Sequence, residues 1–192
     1  MTKFILAGGH TKGAADGGKA FCEELVDGFD QPARILDCVF AQPRDGWRQT
    51  LEEDRFFFAK NLREKVRVEL AEPETFVEQM KKMDAVYFRG GDERLLIDMM
   101  AGIPGWRESL AGKTVAGGSA GAILFCKYYF DLDAGSGIKE ATGILPIKLL
   151  VHYQSDYNAP NIDWDAALAE LTAYGEPDME VLAIREGEFV VR

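Results

Sequence analysis

Gly117-Gly118-Ser119-Ala120-Gly121 stands between a short apolar run, Lys113–Ala116, and a stretch of small and apolar residues, Ala120–Cys126. A strand that runs into paired glycines and turns at once into a buried helix is the context that a G-x-S-x-G nucleophile elbow requires. The physical reason is steric, since a tight strand-to-helix turn strains its central residue and small neighbours let the chain pass. Ser119 would then project into a cleft at a helix N-terminus, where the dipole favours developing negative charge and the Ala120 N–H becomes a first oxyanion donor. The plainer alternative is a glycine-rich strand end with Ser119 as an N-cap, but the flanking strand and helix favour the nucleophile.

Outward from the elbow the chain alternates. Lys3–Ala7, Ala33–Ala41, Val66–Leu70 and Asp84–Phe88 read as strands. Between them lie helical patterns with Phe21, Leu25 and Phe29, with Leu51, Phe58 and Leu62 along Trp47–Val66, and with Phe76, Val77 and Met80 after Pro73. Glu93–Met100 and Trp106–Ala111 are also helical. This rhythm predicts an α/β fold, a three-layer, doubly wound and mainly parallel sheet. After Cys126 it changes: Lys127–Asp133, Leu149–Tyr153 and Met179–Val191 read as strands, with Asp163–Tyr174 a helix. Neither repeat nor linker interrupts residues 1–192, so one domain is expected.

Composition narrows the function. The chain has 192 residues, 22 Lys+Arg against 32 Asp+Glu, and a formal charge of −10. A negative surface without a basic cluster argues against nucleic acid. No apolar run approaches the ~18 residues of a membrane span. Cys22, Cys38 and Cys126 are scattered and odd in number, which points away from disulfides and metal sites and toward a reducing cytoplasm.

In such a sheet ligands bind beyond the carboxyl ends of the strands, so the loops Gly8–Gly18, Arg89–Glu93 and Gly117–Gly121, and whatever follows Leu149–Tyr153, are candidate site loops. A serine nucleophile needs a base, and the chain has two histidines. His152 is preferred because it breaks an apolar strand; His10, in the first loop, is the alternative.

Phe88-Arg-Gly-Gly-Asp-Glu93, Gly117-Gly-Ser-Ala-Gly-Ala122, Ile144-Leu-Pro146 with Val151-His152-Tyr153, and Val181-Leu-Ala-Ile-Arg-Glu-Gly187 occur in that order. Together they resemble the peptidase E and cyanophycinase family of serine peptidases, whose fold is similar to that of class I glutamine amidotransferases. The resemblance runs from about Lys3 to Val191. It implies Ser119 as nucleophile, His152 as base and Glu186 as third member, with the Gly91 and Ala120 amides as oxyanion hole. Asp133 is the rival acid. Gly90, Asp92 and Arg89 are candidate substrate contacts, and no metal or organic cofactor is implied.

Three departures shape the substrate expectation. The family often has Gly-Gly-Asn-Thr where this chain has Gly90-Gly91-Asp92-Glu93, and the arginine-bearing helix of its aspartyl dipeptidases is replaced by Asn161–Leu168 without arginine. The chain also ends at Arg192, before the extra C-terminal strands of longer members, implying a more open cleft or a shorter subfamily. Arg89, Arg94 and Arg185 are the remaining candidate cations, each with a carboxylate among Asp92, Glu93 and Glu186 as expected partner. The expectation is therefore a hydrolase of small peptides or amides with weak Asp preference. A catalytically silent amidotransferase-like domain that binds a small molecule is the competing reading, and a second copy of the chain is a candidate partner.

Overall fold

In the computed structural model, which describes residues 1–30, 32–132, 137–155 and 161–192, five strands lie parallel in the main sheet. They are β1 (Lys3–Ala7), β2 (Ala33–Cys38), β3 (Val66–Leu70), β4 (Ala85–Phe88) and β5 (Thr114–Gly118). A second sheet holds β6 (Tyr128–Phe130), β7 (Ile138–Glu140), β8 (Ile147–Leu150) and β9 (Glu180–Ala183) in the order β7-β6-β8-β9. The chain then returns as β10 (Phe189–Val191), antiparallel to β1, which completes the main order β10-β1-β5-β4-β2-β3.

β1, β4 and β5 read as nearly continuous apolar or small-residue runs because both of their faces are covered, whereas the edge strand β3 alternates Val66, Val68 and Leu70 with exposed Arg67 and Glu69. Ile5, Ala7, Ile35, Ala85, Tyr87 and Ala116 pack on the side of α1 (Lys19–Val26) and α2 (Trp47–Leu62). Phe4, Leu6, Leu36, Val86, Phe88 and Val115 pack on the opposite side, with α3 (Phe76–Met80), α4 (Glu93–Ala101), α5 (Trp106–Ser109) and α6 (Ala120–Ile123). A smaller cluster joins Tyr128 and Leu150 of the second sheet to Leu171 of α7 (Trp164–Ala173). Fully buried Lys148 extends along that layer and donates from Nζ to the Thr172 carbonyl at 2.7 Å, satisfying an orphan acceptor at the end of α7. Among the described residues no helix is long and apolar enough to cross a membrane.

The α/β class is as expected, with several boundaries displaced. The second sheet was not legible as a separate sheet, because a three-residue strand such as β7 carries too little pattern. β2 ends at Cys38 rather than Ala41: the Gln42 N–H turns back to Val39 O, and Asp92 N–H bonds Ala41 O. α2 stops at Leu62, where Arg63 takes a positive φ of 57°. The buried helix expected through Cys126 shortens to Ala120–Ile123.

A buried acid pair lies beneath the cleft end of the main sheet. Asp37, opposite Tyr87 in the ladder, has both side-chain oxygens buried without a hydrogen-bond partner among the described residues, as does one oxygen of Asp54 on α2. Burial first, and the Asp54 charge second, push the Asp37 carboxyl well above the ordinary carboxylate range. The unfolded chain ionises Asp37 near ~4, whereas the folded chain keeps the proton to higher pH. In that window the folded state binds more protons, so this group's contribution to stability falls as pH rises. Asp37→Asn is expected to melt higher than the parent at pH 8, by about 2–4 °C for each ~1 kcal/mol recovered, with the gap closing toward pH 4. Thermal melts at both pH values check this; a gap of equal size at pH 4 would refute it.

Candidate active site

Register brings the site together. Ala7 lies opposite Gly118, and Phe88 opposite Gly117, so the loops after β1, β4 and β5 meet at one rim of the sheet. The Ser119 N–H bonds Ala7 O at 3.0 Å. Ser119 has φ 51° and ψ −115°, a non-glycine conformation that costs ~1–3 kcal/mol and persists because its neighbours hold it. A Cβ at Gly121 would fall 1.9 Å from Phe88 O, and one at Gly117 would fall 2.2 Å from Gly121 O. The two outer glycines of the motif thus permit contact of the elbow with β4 and with itself.

His152 arrives from the second sheet. It lies two residues beyond β8, at φ 53°, and its N–H bonds Gly8 O at 2.8 Å. The expected strand to Tyr153 is thereby corrected: the chain leaves its ladder at Leu150 to reach the first loop. A Cβ on Gly9 (φ 112°) would sit 2.2 Å from the imidazole Cε1, so only a glycine lets the ring lie flat on that loop. The ring nitrogens are 2.8 Å from Ser119 Oγ (Nε2) and 2.8 Å from Glu186 Oε1 (Nδ1). The tautomer that satisfies both has Nδ1–H donating to Glu186 and Nε2 accepting from the Ser119 hydroxyl. Ser155, 7% exposed, donates from Oγ to the same Glu186 oxygen at 2.8 Å.

The glycine loop after β4 faces the elbow. Gln42 donates from Nε2 to Gly90 O at 2.6 Å, and a Cβ on Gly90 would lie 3.2 Å from Ser119 Cβ. Gly90, Gly91, Gly118, Ser119 and His152 share a cleft of about 430 Å³ with Gly9, His10, Thr11, Lys12, Gln42, Phe57, Tyr87 and Arg89. Asp92 turns away to cap α4, accepting from Leu95 N at 2.9 Å, and is not part of the cleft lining.

Arg89 is oriented by carboxylates other than those expected. It pairs with Asp54 and, at 3.2 Å, with Glu53, while Lys12 Nζ lies 3.1 Å from Asp54. Burial is the largest single influence and opposes the Arg89 charge, but the Asp54 charge, Tyr87 and the hydrogen bonds to Asp54 and Glu53 together outweigh it and hold the guanidinium above its ordinary pKa. Arg94 instead pairs with Asp131 at 3.4 Å, and Arg185 donates to Gln154 at 2.6 Å. His10 sits exposed at the cleft rim, and Asp133 lies outside the described residues.

Sequence reasoning missed Lys12, Phe57, Asp54 and Ser155. Asp54 carried a readable signal, a carboxylate on the apolar stripe between Leu51 and Phe58. Lys12 and Ser155 carried none, since each gains its meaning from a partner distant in sequence. Among the described residues no three His, Cys, Asp or Glu side chains converge on a metal position.

The sequence model of Peptidase family S51 matches residues 50–192. No curated protein matches by sequence. Among solved structures, a peptidase from an acI-B1 Actinobacterium superposes with a TM-score of 0.68 at 20% identity, covering 100% of this chain and 83% of the other. A putative peptidase E protein from Listeria monocytogenes EGD-e gives 0.67 at 14% identity, covering 100% and 98%. At these identities the likeness establishes the fold.

Proposed function

The chain belongs to peptidase family S51 and is a serine peptidase acting on peptide substrates; on that premise we propose that Ser119 is its nucleophile, His152 its base and Glu186 the acid that orients the base. The observation that carries this reading is the unbroken hydrogen-bonded line from Ser119 Oγ through both ring nitrogens to Glu186.

The chemistry follows from it. His152 Nε2 takes the Ser119 proton as Oγ attacks the amide carbonyl, and the Nδ1–H bond to Glu186 stabilises the imidazolium that forms. Charge building on the carbonyl oxygen is met by the Ala120 N–H at the start of α6 and by the Gly91 N–H across the cleft. The imidazolium then protonates the leaving amine, and water, deprotonated by the same nitrogen, releases the acyl group. Residues 1–192 act as one peptidase domain, and the three buried thiols, Cys22 among them with a pKa pushed up to about 12 by burial, suit a reducing cytosol.

Substrates are small peptides or amides. Arg89 and Lys12 are the lysine and arginine side chains that line the cleft, and Asp54 and Glu53 already engage them, which supports a weak Asp preference. Matched Asp-Ala and Ala-Ala dipeptides are expected to differ in kcat/KM by less than about tenfold; a preference beyond about 10²-fold would require a dedicated cation.

A serine-directed fluorophosphonate tests the assignment directly. The expected result is a single mass adduct on Ser119, absent from Ser119→Ala and slow to form in His152→Ala. An adduct on another serine would overturn it.

A further inference from the structure

α2 carries three consecutive phenylalanines with different fates. Phe57 and Phe58 are buried at 4% and 0%, whereas Phe56 stands 73% exposed. That ring lines a groove of about 790 Å³, and the groove adjoins the Ser119 cleft, with Lys12 and Phe57 lining both. The shared wall is well held: Lys12 reaches Asp54 at 3.1 Å and lies 5.5 Å above the Phe57 ring. At the far rim Lys60 projects over Gly17, its Nζ 3.7 Å from where a Cβ would be.

The groove's charges indicate what it takes. Its two acids, Glu52 and Glu53, are engaged by Arg55 and Arg89, Lys12 is engaged by Asp54, and Lys60 is the remaining cation of its lining. The apolar surface of Phe56 and Phe57, beside the nucleophile's cleft and with the Lys60 ammonium in the same lining, complements a peptide chain that carries an apolar side chain and ends in a free carboxylate. We infer that the Phe56 groove is a substrate subsite for an apolar C-terminal residue, so that the enzyme prefers peptides extended beyond a dipeptide on the leaving-group side. This rests on Ser119 being the nucleophile, and it goes beyond that assignment by naming the substrate class.

Protection of Ser119 from a small fluorophosphonate is the test, since initial labelling rates read binding independently of turnover. Ala-Ala-Phe is expected to protect at about a tenfold lower concentration than Ala-Ala-Ala, the scale of burying one aromatic side chain at a partly exposed site. In Phe56→Ala the two peptides should protect within about twofold of each other, and amidation of Ala-Ala-Phe should weaken its protection of the parent enzyme. Phe56 is exposed, so the variant should fold, and its labelling rate without peptide reports that it has. Equal protection by the two peptides overturns the inference, as does an advantage that survives Phe56→Ala. A stronger effect of Phe-Ala-Ala, or indifference to amidation, overturns the placement on the leaving-group side. A parent dimer that becomes monomeric in Phe56→Ala, with no peptide discrimination, assigns the surface to a second copy of the chain instead. Absence of Ser119 labelling in every sample would end the nucleophile assignment and this inference with it.

Discussion

Ser119→Ala is expected to fold normally and to lose kcat/KM by on the order of 10⁴-fold, and His152→Ala to lose nearly as much. The hydroxyl sits half-buried at the cleft, so its removal leaves no cavity in the core. Under the proposed mechanism its chemistry depends on the 2.8 Å contact with Nε2, and neither partner would accomplish the proton transfer alone. The double variant should consequently be little worse than either single one, because the two act as a unit. His10→Ala, which leaves that line intact, should keep most activity. Kinetics of the four purified variants check this. Additive losses in the double variant, or a greater loss from His10→Ala than from His152→Ala, would remove His152 from the role of base.

The second large effect belongs to Glu186. Glu186→Gln is expected to lower kcat by on the order of 10³-fold or more with little change in KM. The carboxylate accepts Nδ1–H and so keeps Nε2 free to receive the serine proton. A glutamine amide can instead donate to Nδ1, stabilising the tautomer whose Nε2 already carries a hydrogen. Binding should change little, because Glu186 lies behind the imidazole and outside the cleft lining. Ser155→Ala should show a smaller loss of the same kind, since its hydroxyl shares the Glu186 oxygen. Asp133→Asn should leave kcat unchanged; the reverse pattern would hand the role to Asp133.

Much of the fold was legible because its signals are local. β1 has the boundaries that its apolar run implies and β3 those that its alternation implies, and the G-x-S-x-G turn sits between β5 and α6, where the glycines and small residues require it. Family resemblance contributed Glu186 and Gly91, which nothing in their own neighbourhoods distinguishes from an exposed carboxylate and a loop glycine.

What local sequence decided, then, is the alternation of strands and helices and the strained serine, because side-chain periodicity and backbone sterics act within a few residues. Tertiary structure alone decided the rest. His152 was read as breaking a strand, yet it lies in a turn that leaves β8, and its N–H bonds Gly8 O, 144 residues earlier in the chain. Arg89 looked set for Asp92 or Glu93, but sheet order carries it to α2, where Asp54 is fully buried and more strongly attractive than an exposed neighbour. Asp92 meets the first turn of α4 instead, the nearest set of free N–H donors. Such partnerships depend on which loops the crossovers bring to one rim, and that is a property of the whole sheet that no short stretch of sequence encodes.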